Sequence, residues 1–309
     1  MRLLGLHHIT AIAGDAKRNV DFYTRVLGLR FVKKTVNFDD PGTYHLYYGD
    51  ATASPGTLLT FFLWEGLPRG RSGSGMATAI GYSVPADALA FWTARLQANG
   101  VTVAAPVARF GNQVVAFADP DGLPLELIAT AGPDTRVPAP HAEVPADKAI
   151  RGFHGVTLGA GAALASAEVL TADMGYRLAG REGTRARYTV GTGGPGTFVD
   201  LLTDTGLPRA RSGLGTVHHV AFRTPDDPSQ REARDALVEH GLNVSPVVDR
   251  SYFHSIYYRE PGGVLFEIAT DGPGFAVDEP LEQLGRSLRL PPWYESRRAE
   301  IEAHLPPLE

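Results

Sequence analysis

The stretch Val217-His218-His219-Val220-Ala221-Phe222 sets two adjacent histidines at the head of a short apolar run. A near-copy, Leu6-His7-His8-Ile9-Thr10, stands at the N-terminus. Short apolar runs bounded by turn-forming residues read as β-strands. The chain has only ten histidines in 309 residues, so two such pairs on two distant strands suggest a shared task. An isolated His-His strand is more simply a half-buried core strand with hydrogen-bonded rings. The case for chemistry therefore rests on what surrounds the pairs.

Outward from the first pair, Asp15 can cap a helix that runs to Leu27 and stops at Gly28, and strands follow around 30–38, 43–49 and 57–64. The pattern recurs. A strand at 75–84 precedes a helix over 87–99 ended by Gly100, with three strands after it that finish at Leu123–Thr130. A Pro-rich linker at 132–149 leads to a third unit, whose strand is Phe153–Leu158 and whose helix over 162–174 stops at Gly175. The fourth opens at VHHVAF, has a helix over 228–240 before Gly241, and closes at 264–270. From His8, Gly81, Gly155 and His219 the helix-ending glycines follow at intervals of 20, 19, 20 and 22 residues. The connector GLPRGRSGSG at 66–75 returns as GLPRARSGLG at 206–215. Regular self-similarity of this kind is a fold-level signal. The expected class is α+β: four βαβββ modules forming two cupped mixed sheets with helices outside. Two halves are expected, 1–150 and 151–309, each with two modules. The tail after 272 has a Pro291-Pro292 break and an expected helix over 293–304, with Trp293, Ile301 and Leu305 against the body. Packing is the preferred role for this tail, and a lid over the site is the alternative.

Composition excludes much. Net charge of −5 disfavours nucleic acid or an anionic membrane as partner. Cysteine is absent, which removes disulfides, thiolate metal sites and cysteine nucleophiles. With no signal-like apolar start and no membrane-length run, a cytoplasmic location is expected. Assembly into a homo-oligomer is left open. Any metal must be held by His, Asp and Glu.

At equivalent places the first strands carry His8, Gly81, Gly155 and His219, and the fourth strands carry Thr60, Glu126, Asp200 and Glu267. If each set of modules curves into a half-barrel, His8, His219 and Glu267 form a two-histidine, one-carboxylate set suited to non-haem Fe(II) and oxygen. Mn(II) is the alternative metal. Glu126 and Asp200 lack imidazole partners and are expected to be structural.

HHIT, HHVAF, VNFDDPGTYHLYYGD and GGVLFEIATD resemble the vicinal oxygen chelate superfamily, and more narrowly its ring-cleaving hydroquinone (chlorohydroquinone) 1,2-dioxygenases. The resemblance spans nearly the whole chain. It implies that module one pairs with module four, and that His8, His219 and Glu267 bind Fe(II). It also implies supporting or catalytic roles for His7, His218 and Tyr257, and substrate-side roles for Thr10 and Arg250. His254, in an aromatic strand, is a further candidate for the substrate pocket. His45 is expected to be a core or rim histidine. Strict strand alternation turns His7 and His218 away from the ligand face, so their roles require a bulge or twist. Phe38, Tyr44, Phe253 and Phe266 are expected to set pocket size.

The implied activity is extradiol-type cleavage of a hydroquinone or related diphenol with O₂. Two rivals share the fold. A glyoxalase-like isomerase or lyase would need a second carboxylate where Thr60 stands. A non-catalytic small-molecule-binding resistance protein would not need the ligand set.

Overall fold

Each of the four repeats folds as a strand, a helix and three further strands in the computed structural model, which describes residues 3–132, 134–203 and 206–308. Module one comprises β1 (Leu6–Ala13), α1 (Ala16–Asp21), β2 (Arg30–Asn37), β3 (Asp40–Gly49) and β4 (Leu58–Leu63). Module two comprises β5 (Met76–Pro85), α2 (Leu89–Ala98), β6 (Val107–Arg109), β7 (Asn112–Ala118) and β8 (Pro124–Thr130). Module three comprises β9 (Gly152–Gly159), α3 (Ala163–Glu168), β10 (Arg177–Glu182), β11 (Arg185–Thr189) and β12 (Phe198–Leu202). Module four comprises β13 (Thr216–Thr224), α4 (Asp227–Glu239), β14 (Val248–Asp249), β15 (Phe253–Arg259) and β16 (Leu265–Pro273).

The helices begin and end for local reasons. Asp15 caps α1 by accepting from the Arg18 N–H, and Asp226 caps α4 by accepting from the Ser229 N–H. In modules one and three the helix continues into a π-helical turn, Phe22–Val26 and Val169–Asp173. The glycines that follow all four helices have positive φ, which a side chain resists.

Two mixed eight-stranded sheets result. The first runs β14-β15-β16-β13-β1-β4-β3-β2, and the second β10-β11-β12-β9-β5-β8-β7-β6. Modules one and four thus share one sheet through the antiparallel β1–β13 pair, and modules two and three share the other through β5–β9. One apolar core draws on both sheets, with Ile9, Phe61 and Phe222 from the first and Ile80, Leu127 and Phe153 from the second. No helix among the described residues is long and apolar enough to cross a membrane.

The two copied connectors lie against each other. Arg71 and Arg211 exchange backbone hydrogen bonds, and Ser74 N–H donates to the Pro208 carbonyl. A Cβ on Gly73 would stand 2.1 Å from that carbonyl oxygen, so the approach needs glycine there. The repeated sequence is therefore a structural seam joining the two sheets.

The tail packs onto module one. Ile301, on α5 (Arg298–His304), is buried with Val36 and Leu290. Trp293 departs from expectation: it stays 49 % exposed, with one edge against Phe38. Lys33, fully buried on β2, holds the first part of the tail through Asp278 and Glu279, each at 2.6 Å.

His154 begins a testable consequence in the second sheet. Its ring is buried, Nε2 has no hydrogen-bond partner among the described residues, and burial, reinforced by Arg187, pushes its pKa down to about 3. The unfolded chain takes up this proton near the ordinary histidine value, whereas the folded chain resists it. Stability contributed by a neutral His154 is thus present above about pH 6.5 and lost on acidification, at about 1.4 kcal/mol per pH unit. His154→Phe is expected to flatten the wild-type loss of unfolding free energy between pH 6 and 4 by about that slope. Equal slopes in urea titrations of the two proteins would contradict it.

Candidate metal centre

The centre is built where β1, β13 and β16 lie side by side. Thr10 stands opposite His219 across β1–β13, and His8 stands opposite Ala221, which in turn neighbours Glu267 on β16. This register brings three side chains to one point. His219 Nε2 lies 2.9 Å and His8 Nε2 3.4 Å from Glu267 Oε2, and the two Nε2 atoms are 3.3 Å apart. Among the described residues, these three form the one cluster of metal-ligating type.

The electrostatics call for a cation. Glu267 is fully buried, and its Oε2 faces the Nε2 atoms of His219 and His8. Ser255 Oγ donates to the other oxygen, Oε1. Burial alone would raise the Glu267 pKa, but His8 and His219 hold it well below the ordinary value, so the carboxylate is ionised. A buried ionised carboxylate needs positive charge beside it, which the imidazoles supply when protonated and a divalent metal would supply when they are neutral. The residues fit a divalent metal.

Strand parity is broken where it must be. Between Leu6 and His8 the β1–β13 ladder slips, leaving His7 as an extra residue on β1, and between Thr10 and Ala11 it slips again, leaving His218 as an extra residue on β13. Such bulges re-aim side chains. His7 Nδ1 thereby reaches His8 Nδ1 at 2.9 Å, and His218 Nδ1 reaches His219 Nδ1 at 2.8 Å. A ligand histidine that offers the Nε2 lone pair must carry its proton on Nδ1. With His8 and His219 in that tautomer, His7 and His218 would be the acceptors that fix it.

A cavity of about 320 Å³ opens onto His8 and His219, with walls that include Phe38, Phe62, Trp64, Phe253 and Leu265 and polar groups from Asp39, His45, Tyr47, His218, Arg250 and Tyr257. His218 and Leu265 also line an outer cleft of about 710 Å³, so they stand between the cavity and the surface. Arg250 Nε–H donates to the Tyr257 hydroxyl at 3.0 Å, and its other nitrogens hold Asp39. Burial, with Glu267 nearby, keeps the Tyr257 phenol above its ordinary pKa and protonated.

Some expected positions lie elsewhere. His7 is outside the cavity, behind His8 and edge-on to Phe253. Thr10 is buried under the floor, bonded to Thr60 Oγ1 at 2.7 Å. His254 faces away from the cavity, because alternation along β15 aims Phe253, Ser255 and Tyr257 inward and His254 toward α4. Its Nδ1 meets Asp227 at 2.6 Å. Phe38 and Phe253 line the cavity, but Tyr44 and Phe266 belong to the apolar core. The repeat register also shifts by two residues in module two. Gly81 neighbours Glu126 as Thr10 neighbours Thr60 and Ala221 neighbours Glu267, so Ala79 is the counterpart of His8. Sequence reasoning passed over Tyr47, Asp39 and Ser255, and gave His45 only a core or rim place, which its position in the cavity wall fits. The i, i+2 spacing of Ser255, Tyr257 and of His45, Tyr47 on β-strands was the available signal.

In the second sheet, arginines fill the corresponding space. Arg187 grips Asp200 with two hydrogen bonds of 2.8 and 2.9 Å, Arg185 reaches it at 3.1 Å, and Arg109 pairs with Glu126 at 2.7 Å. A Cβ on Gly155, the counterpart of His219, would stand 2.6 Å from the Phe198 carbonyl oxygen. Guanidinium groups supply the positive charge there, and at Gly155 no side chain can enter.

The chain belongs to the glyoxalase/bleomycin resistance protein/dioxygenase superfamily, whose family model matches residues 5–127 and 131–268. Within it, the chain is 47 % identical over 308 residues to a Bacillus subtilis protein named as a ring-cleaving dioxygenase, MhqO, covering 100 % of this chain and 97 % of that one. It is 36 % identical over 312 residues to the chlorohydroquinone/hydroquinone 1,2-dioxygenase of Sphingobium indicum, covering 97 % and 95 %. A crystal structure of a Bacillus subtilis protein described as a dioxygenase superposes with a TM-score of 0.95 at 46 % identity, covering 100 % and 98 %. Glyoxalase I from Zea mays shares the fold alone, with a TM-score of 0.65 at 17 % identity, covering 86 % and 92 %.

Proposed function

We infer that the protein is a ring-cleaving dioxygenase that uses Fe(II), or Mn(II) in its place, for extradiol-type opening of a hydroquinone or related diphenol with O₂. The observation that carries this reading is a buried two-histidine, one-carboxylate cluster on the floor of an aromatic-walled cavity. His8, His219 and Glu267 would hold the metal on one face. A ferrous ion bound there supplies open coordination positions and one-electron chemistry toward O₂.

The chain's own groups do the rest. Phe38, Phe62 and Phe253 give the ring an apolar slot and exclude water around it. Arg250 keeps its charge at any working pH and favours a phenolate near Tyr257. Because Arg250 donates to the Tyr257 oxygen, the Tyr257 proton is free to be offered to an oxygen gaining charge. His7 and His218 hold the ligand imidazoles in the metal-binding tautomer, and His218, at the cavity mouth, can also hold a proton in transit.

Against the isomerase reading stands Thr60, in the place where a second carboxylate would be needed. It cannot bind or leave a metal as a base, and its hydroxyl is bonded to Thr10 and His45. The test is anaerobic reconstitution with Fe(II), then oxygen uptake with hydroquinones and catechols, and isomerase assay with a hemithioacetal. Oxygen uptake with a diphenol is expected. Isomerase turnover without oxygen uptake would overturn the reading.

A further inference from the structure

Internal symmetry gives Tyr257 a counterpart. Across β15–β16, Tyr257 stands opposite Glu267, and Ser255 is two residues before it. Across β3–β4, Tyr47 stands opposite Thr60, and His45 is two residues before it. Thr60 and Glu267 are themselves equivalent by register. The pseudo-two-fold that relates His8 to His219 therefore relates Tyr47 to Tyr257. Both tyrosines line the cavity, on the two flanks of the histidine pair.

The two flanks are wired differently. Tyr257 receives a hydrogen bond from Arg250, whereas the Tyr47 hydroxyl lies 2.9 Å from His45 Nδ1. His45 Nε2 lies 2.8 Å from Thr60 Oγ1, which lies 2.7 Å from Thr10 Oγ1. Proton counting fixes the polarity of this chain. Thr10 is fully buried, and Thr60 is the one hydrogen-bond partner of its hydroxyl among the described residues. If the chain ran from Tyr47 inward, the Thr10 proton would be a buried donor with no acceptor, at about 1–3 kcal/mol. If it runs outward, Thr10 donates to Thr60, Thr60 to His45 Nε2, and His45 Nδ1–H to Tyr47. Every donor is then used except one. That one is the Tyr47 O–H, and it faces the cavity. Such a chain is strengthened along its length because each bond polarises the next.

We propose that Tyr47, oriented by His45, Thr60 and Thr10, donates a hydrogen bond to the second oxygen of a para-diphenol, the one not held at the His8–His219–Glu267 centre. Tyr47 would then determine specificity for para-diphenols over phenols that lack that oxygen, and His45 would be a positioning residue. The inference rests on the ring-cleaving reading of the site.

The experiment compares wild type, Tyr47→Phe and Thr60→Val, all reconstituted with Fe(II). Under anaerobic conditions, calorimetry measures binding of hydroquinone and of phenol, which lacks the second oxygen. Oxygen uptake gives KM and kcat for hydroquinone. Tyr47→Phe keeps the ring that packs on Phe275 and Tyr252. It is expected to weaken hydroquinone about tenfold, to leave phenol unchanged, and to raise KM more than it lowers kcat. Thr60→Val, which never reaches the cavity, is expected to produce a smaller loss of the same selectivity. Equal weakening of both ligands, or of neither, in Tyr47→Phe overturns the proposal while leaving the dioxygenase reading intact if oxygen uptake persists. Wild-type protein that neither binds diphenols nor consumes oxygen overturns both.

Discussion

Glu267→Gln is expected to lower the melting temperature of the metal-free protein and to abolish the rise that Fe(II) gives the wild type. The sign follows from the site's electrostatics. His8 and His219 hold the buried Glu267 carboxylate well below its ordinary pKa, so the fold favours the ionised form over a neutral one. Glutamine retains an oxygen for the Ser255 hydroxyl but gives up the charge that faces the two imidazoles. With metal at a hundred times its dissociation constant, the wild type should gain about 2.7 kcal/mol, and the variant close to nothing. Oxygen uptake should fall by more than the ~10–100-fold typical of losing a mere supporting hydrogen bond. Calorimetric melting with and without Fe(II), metal analysis after dialysis and oxygen-uptake assays check all three. Unchanged metal retention in Glu267→Gln would remove this residue from the ligand set. Glu126→Ala, in the second sheet, should retain metal normally.

The second large effect lies away from the chemistry. Arg187→Met is expected to destabilise the fold by about 3–5 kcal/mol, because it strips most of the hydrogen bonding from the buried Asp200 carboxylate. It also removes a guanidinium stacked on Phe110 and Phe198. The paired variant Arg187→Met/Asp200→Leu should recover much of that loss, since no lone charge is then left inside. Urea midpoints measure the cost. The KM of whatever folded enzyme remains should be unaltered. A loss below about 1 kcal/mol would mean that Arg185 alone satisfies Asp200.

Much of this molecule was legible because its repeats carry periodic marks. Glycines at helix ends, the copied connectors and the recurring strands expose the four modules, and comparing them isolates His8, His219 and Glu267. What alternation could not foresee was the pair of bulges. A one-residue slip costs little in composition and leaves no periodic trace, yet it decides that His7 and His218 touch the ligand rings. The same limit moved the counterpart of His8 from Gly81 to Ala79. His254 was misplaced for the opposite reason: it obeys alternation and so points at α4. His45 and Tyr47 looked like ordinary aromatic-strand residues, since a hydrogen-bonded chain through Thr60 and Thr10 crosses three strands and has no signature along any one of them.

The order of strands in the first sheet also sets a timetable for biosynthesis. His8 is synthesised first, and the histidine beside it in the sheet follows 211 residues later. At about 5–20 residues per second, that is a wait of about 10–40 s. Over that interval β1 has no β13 to pair with and its two histidines have no carboxylate. Modules two and three, contiguous in sequence, can close their own sheet first, neutralised by arginines that arrive with the chain. Metal capture at His8, His219 and Glu267 would therefore await β16, and a nascent chain stalled before that strand would carry a folded second sheet and no place for the ion.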